Sequence, residues 1–274
     1  MHYLDPISPN EPALLLPIAP PPVDDRKNAV VDLLDVFLVV CATFAAFVVC
    51  GAVAIGIFLS RHSSIRIDSP DLTKALGHNV FFLLPVQLAV YAVVVGSMAF
   101  LVWARHRTGL GRAVRWNTPK LNHALMALLG GAALALFADA AEFLLQRWIP
   151  KSLPITEFFK DRPSALLLAA FGIMVAPLVE ELFFRGFLYP ALARWTGVVP
   201  AVAITAFAFA MLHEGQLAHA WAPLLVLFVV GTVLTAIRAA SKSVAICVLI
   251  HMAYNFTIFT HLYIVSNGFR NLQD

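Results

Sequence analysis

The sequence predicts an all-α fold, a polytopic bundle of transmembrane helices. Three observations carry this. Of the 274 residues, 60% are hydrophobic and 13% charged, against roughly 45–50% and about 25% in an ordinary soluble domain. Mean hydropathy is +0.82, too high for a surface that faces water. The charge-free stretches also match the roughly 20 residues that a helix needs to cross a bilayer core. Helices follow because lipid offers an unpaired backbone group no partner, and the runs are too long for barrel strands. These features exclude a soluble enzyme, a nucleic-acid-binding module and a disordered chain. The net charge is only +3, from 19 basic and 16 acidic residues, and asks for no acidic partner. The partner implied is the lipid bilayer. The chain reads as a multi-pass integral membrane protein, in the cell membrane if its source is bacterial.

Residues 1–35 hold seven of the 17 prolines, Pro20-Pro21-Pro22 among them, and read as a flexible tail. No basic cluster opens the chain, and the first apolar run is too long for a signal core. Val36–Leu59 is therefore a first true span. Val80–Ala104 follows, then Leu121–Ala138, which runs on to Asp139 and Glu142. Ser164–Val179 runs into Glu180 and Glu181. Trp195–Leu212, Gly215–Ile237 and Ser243–Phe269 complete seven spans. There are eight if Ser164–Trp195 is broken near Pro177 or Gly186. Arg105, Arg107, Arg112, Arg115 and Lys120 lie together without an acid, which makes their connection cytoplasmic by the positive-inside rule. Counting outward puts the tail, Arg194, and Arg238 with Lys242 on that same side. Cys41, Cys50 and Cys247 lie in apolar runs without paired spacing and read as small buried hydrophobes.

The informative residues are the polar ones inside apolar runs, since a charge at mid-membrane costs about 2.5–3.5 kcal/mol on insertion scales. Glu180 and Glu181 are adjacent, so on a helix they diverge by roughly 100°. Glu181 and Arg185 are four apart with the acid first, the favourable ion-pair order. That leaves Glu180 without a local partner, a candidate acid or base. Phe209 and His213 share a helix face. Glu214 follows, but Leu217 stands where a zinc helix of the H-E-x-x-H type needs histidine; His219 reads as a loop residue. His251 and Asn255 share a face of the last span and suit an oxyanion site. Glu180, His213 and His251 would equally suit zinc, whose ordinary ligands include histidine and carboxylate. Asp139 and Glu142 read as structural, with Arg147 their expected partner.

In order, these motifs are E-E-x-x-x-R, F-x-x-x-H and H-x-x-x-N, each on its own span. The set resembles the CAAX-protease and bacteriocin-processing (CPBP, or Abi) family of intramembrane proteases. The likeness covers about residues 164–260; residues 1–120 show no diagnostic match. One departure is the turn Ser241-Lys242-Ser243, where a Thr-Gly-Ser type turn is common. The resemblance implies an endopeptidase acting on a membrane-associated peptide or protein. Glu180 would activate water with help from His213. Glu181, Arg185 and Phe209 would support the site, and His251 and Asn255 would hold the oxyanion. No cofactor is required on this reading, with zinc the alternative. It divides the chain into the tail, 1–35, N-terminal membrane helices, 36–120, and a helical protease core, 121–274. A non-catalytic scaffold of the same fold and a proton-coupled transporter are the competing functions.

Overall fold

The computed structural model describes residues 30–62, 66–69, 72, 76, 77, 79–150, 153–159 and 161–270. Among these there are helices and turns and no strand. Helix α1 is Leu33–Arg61, α2 is Val80–His106 and α3 is Leu121–Leu145. Helix α4 runs unbroken over Arg162–Thr196, α5 is Val198–Leu212, α6 is Trp221–Ser241 and α7 is Val244–Val265. All but α5 are long and apolar enough to cross a membrane. The protein is a multi-pass integral membrane protein built as a helical bundle. Helix α5, at 15 residues, spans only about 22 Å at 1.5 Å per residue.

The largest departure from the sequence reading is α4. It does not end at Val179 but continues through both glutamates to Thr196. Neither Pro177 nor Gly186 breaks it, so the stretch is one span and not two. The sixth span begins at Trp221 instead of Gly215, because Glu214–Leu217 forms a tight turn and Ala218 and His219 take left-handed backbone.

Helix α1 starts at a reciprocal cap, in which the Asp32 and Asp35 side chains each accept from the other's backbone N–H. Such caps satisfy N–H groups that the first turn leaves over. Arg105 and His106, ending α2, reach the same pair. Burial alone would raise the Asp32 carboxyl, but the Asp35 N–H and Arg105 outweigh it and hold it below its ordinary 3.8.

Helices α1 and α2 pair, and their Val39, Val94, Met98 and Val102 pack on Val179, Leu182 and Phe187 of α4. Helix α3 lies along α7, with Leu134, Ala135 and Ala138 against Ile250 and Tyr254. Helix α5 pairs with α6. The outer surface carries Phe44, Phe47, Leu129, Leu136 and Leu144, as lipid requires. Cysteine follows the same division. Cys247 is buried as expected, whereas Cys41 lies on the outer surface and Cys50 is half-buried.

The 105–120 connection, the start of α1 and the α6–α7 turn sit at one end of the bundle. Asn117 donates to the Lys242 carbonyl at 3.0 Å, and Ser243 Oγ donates to the Asn117 carbonyl at 2.7 Å. Ala193 of α4 and Ala201 of α5 pack beside Ala239 nearby. Among the described residues, the segments that charge counting assigns to one side are together; the tail lies outside them up to residue 29.

Candidate active site

The middle of α4 is set by two prolines. Over Phe171–Val175 and again over Leu182–Leu188 the helix opens into wider turns. The Ala176 N–H reaches back five residues to the Phe171 carbonyl, and the Tyr189 N–H reaches the Phe184 carbonyl. In each case the next residue is proline, Pro177 or Pro190. Proline has no N–H and its ring crowds the carbonyl four residues back, which a wide turn moves aside. Each proline therefore leaves one carbonyl without its helical donor: Gly172 before Pro177, and Arg185 before Pro190. Side chains from other helices take over. Asn255 Nδ2 on α7 donates to the Gly172 carbonyl at 2.6 Å, and Arg238 Nε on α6 donates to the Arg185 carbonyl at 3.1 Å.

Between these turns stand Glu180 and Glu181, aimed in different directions as adjacent helical residues must be. Glu181 is fully buried and its Oε1 takes Arg185 Nη1 at 2.7 Å. The ion pair expected from the spacing is therefore formed. Arg185 is also fully buried. It donates to Thr235 Oγ1 at 3.3 Å and to the Gly231 carbonyl at 3.1 Å, and its guanidinium lies 4.7 Å from the Phe209 ring centre. Gly231 admits this contact. A Cβ there would sit 3.2 Å from both Ala206 Cα and Phe209 Cδ1, so α5 and α6 approach closely beside the guanidinium.

The same Glu181 oxygen takes His251 Nδ1 at 2.9 Å, while Oε2 accepts nothing among the described residues. A carboxylate can only accept, so Nδ1 carries the hydrogen of this bond. Nε2 is then the nitrogen left for chemistry. It faces Glu180 Oε2 across 3.9 Å. A water resting on both would lie about 2.8 Å from each, an ordinary hydrogen-bond length. The order is Arg185, Glu181, His251, Glu180. Exposure rises along the last three, from 0% for Glu181 through 5% for His251 to 13% for Glu180.

Phe209 and His213 join from α5. The His213 ring lies 4.9 Å from Phe209, which meets His251 edge-on at 5.8 Å. His213 Nδ1 donates to the Phe209 carbonyl at 2.9 Å, leaving Nε2 outward. Both histidine rings thus lie against the same aromatic ring. Asn255 shares a helix face with His251 as its spacing predicts, but one of its two amide hydrogens is committed to Gly172. Among the described residues no three His, Cys, Asp or Glu side chains form a group able to hold an ion.

Sequence reasoning missed Tyr91, Thr235 and Arg238. Tyr91, on α2, donates from its hydroxyl to Glu180 Oε1 at 3.4 Å, and its ring stacks on Phe171 at 5.6 Å. A lone phenol in a charge-free span carries no motif. The i, i+4 pair Gly231 and Thr235, in which Thr235 donates to the Gly231 carbonyl at 2.7 Å, was the one legible signal. Other polar residues lie apart. Asp139 pairs with His261 at 3.0 Å instead of with Arg147, which lies over Trp148 at 5.1 Å. His219 pairs with Glu214 on the surface.

Residues 162–257 match the Rce1-like family model, described as type II CAAX prenyl endopeptidase Rce1-like. That family is one of peptidases. The matched segment holds Glu180, Glu181, Arg185, Phe209, His213, His251 and Asn255, so the likeness read from the motifs holds for the stretch that carries them. It leaves out α1, α2 with its Tyr91, and α3. No curated protein and no solved structure matches the chain.

Proposed function

We propose that the protein is an intramembrane endopeptidase. In this reading Glu180 takes a proton from water, and the water oxygen attacks the carbonyl carbon of a peptide bond. The peptide C–N bond then breaks and the proton passes to the leaving amine. The observation that carries the reading is the continuous polar order Arg185, Glu181, His251, Glu180 inside an apolar bundle. Arg185 and His251 are both hydrogen-bonded to Glu181, and the most exposed carboxylate, Glu180, stands 3.9 Å beyond His251 and takes the Tyr91 hydroxyl. That is the arrangement general-base chemistry needs, a base held in place by groups that do not themselves react. His213, which lies against the same Phe209 ring as His251, assists Glu180. In this reading His251 carries a hydrogen on Nε2 as well as on Nδ1 when the oxyanion forms, so that Nε2 and the second amide hydrogen of Asn255 donate to it, where one lost donor costs roughly 3 kcal/mol of barrier. His251 is the eighth residue of α7, about 10 Å from the helix start at 1.5 Å per residue. The substrate is therefore a segment that enters the bilayer, and the family description favours the tail of a lipid-modified protein. The mechanism needs no metal.

The test is cleavage of a membrane-anchored peptide library by the purified protein. Glu180→Gln, His213→Ala and His251→Ala are each expected to reduce turnover by about 10²–10⁴-fold, the range for a lost acid or base. Unchanged cleavage in all three overturns the reading.

A further inference from the structure

A second polar site lies at the end of the bundle where charge counting puts the cytoplasm. The connection between α2 and α3 and the turn between α6 and α7 enclose a groove of about 460 Å³ lined by Gly111, Arg112, Arg115, Trp116, Asn117 and Lys242. Three of the six are cationic, and residues 105–120 contain no acid. The groove is built, not merely exposed. The Val244 N–H donates to the Arg115 carbonyl at 3.2 Å, Asn117 Nδ2 to the Lys242 carbonyl, and Ser243 Oγ back to the Asn117 carbonyl. Arg115 and Lys242 both take left-handed backbone, at φ 59° and 56°. These bonds hold the backbones of the two turns in one arrangement, so the residues that carry the cations line one groove.

We propose that this groove binds the phosphate headgroup of an anionic bilayer lipid. Free phosphate would offer the same charge, but three features favour lipid. The groove opens where α2, α3, α6 and α7 leave the membrane. Trp116, 38% exposed, is a residue type that settles at headgroup level. Arginine and asparagine supply the donors that phosphate oxygens accept from. The groove is also joined to the α4 turn. Val114, one residue before Arg115, accepts from Arg238 Nη2 at 3.5 Å, and Arg238 caps the Arg185 carbonyl. A Cβ on Gly186 would meet Val114 Cγ1 at 2.9 Å, so loop and turn lie in direct contact. A headgroup in the groove would brace the loop that bears on the Arg185 turn.

The test uses the full-length protein in nanodiscs of phosphatidylcholine with and without phosphatidylglycerol, read by native mass spectrometry for retained lipid. Each nearby cation corresponds to about fivefold in affinity for an anionic headgroup. The wild type is expected to retain phosphatidylglycerol selectively. Arg112→Gln with Lys242→Gln is expected to lose about 25-fold of that preference, at two such factors. Arg147→Gln, on a basic residue outside the groove, is expected to lose none. Inorganic phosphate added at millimolar concentration separates the two sources: failure to displace the lipid supports a headgroup site, and full displacement points to a free-phosphate site and overturns the lipid assignment. Equal retention of both lipids by the wild type, or loss on Arg147→Gln as large as in the double variant, also overturns it. None of these readouts depends on peptidase activity.

Discussion

The two wide turns of α4 follow one rule and end differently. In both, a proline five residues after a carbonyl withholds the N–H that carbonyl would have taken. At Phe171–Val175 the replacement donor is a neutral amide, Asn255, on a half-buried side chain beside the Glu180 region. At Leu182–Leu188 it is the guanidinium of Arg238, 2% exposed, on the side that faces the basic loop. The first cap comes from the helix that carries His251 and sits within a motif. The second comes from α6 and sits in none. On the proposed mechanism the difference teaches that the first turn couples backbone repair to chemistry, because one amide would serve both. The second is repair alone, and it holds Arg185 where Glu181 needs it.

Breaking the second turn should cost most. Arg238→Ala removes the cap and leaves a buried carbonyl unsatisfied, which costs about 1–3 kcal/mol. Thermal unfolding in detergent should show a clear drop in Tm. Pro190→Ala restores an N–H at that position, so the double variant should recover part of the loss. A coupling of roughly 0.5–3 kcal/mol is the range for groups in contact, and strict additivity would refute the capping account.

The same cycle at Asn255 and Pro177 sharpens the comparison. Asn255→Ala should lose stability and turnover together. Adding Pro177→Ala should restore stability and leave turnover low, because a backbone N–H can cap Gly172 but cannot reach an oxyanion. Recovery of both would make Asn255 purely structural.

The smallest effect is expected from Tyr91→Phe, which keeps the ring stack on Phe171 and removes one long hydrogen bond to Glu180. A net loss of about 0.5–1.5 kcal/mol is ordinary for one hydrogen bond, corresponding to a few-fold to roughly tenfold fall in kcat with KM and Tm unchanged. An unchanged kcat would place Tyr91 outside the machinery.

Much of the site was legible because its chemistry is local in sequence. Glu181 and Arg185 had to pair, since i, i+4 neighbours share a helix face. Phe209 with His213, and His251 with Asn255, were aligned by the same periodicity. The hydropathy pattern likewise determined a helical membrane bundle, because burying backbone in lipid leaves few alternatives. What the sequence could not give was which helix faces which. That Glu181 meets His251, seventy residues on, depends on how α4 and α7 pack. So does the arrival of Tyr91 at Glu180 from a segment without any motif. The continuity of α4 was hidden for a related reason. Proline and glycine read locally as breaks, and only donors from other helices, Asn255 and Arg238, let the backbone continue through them.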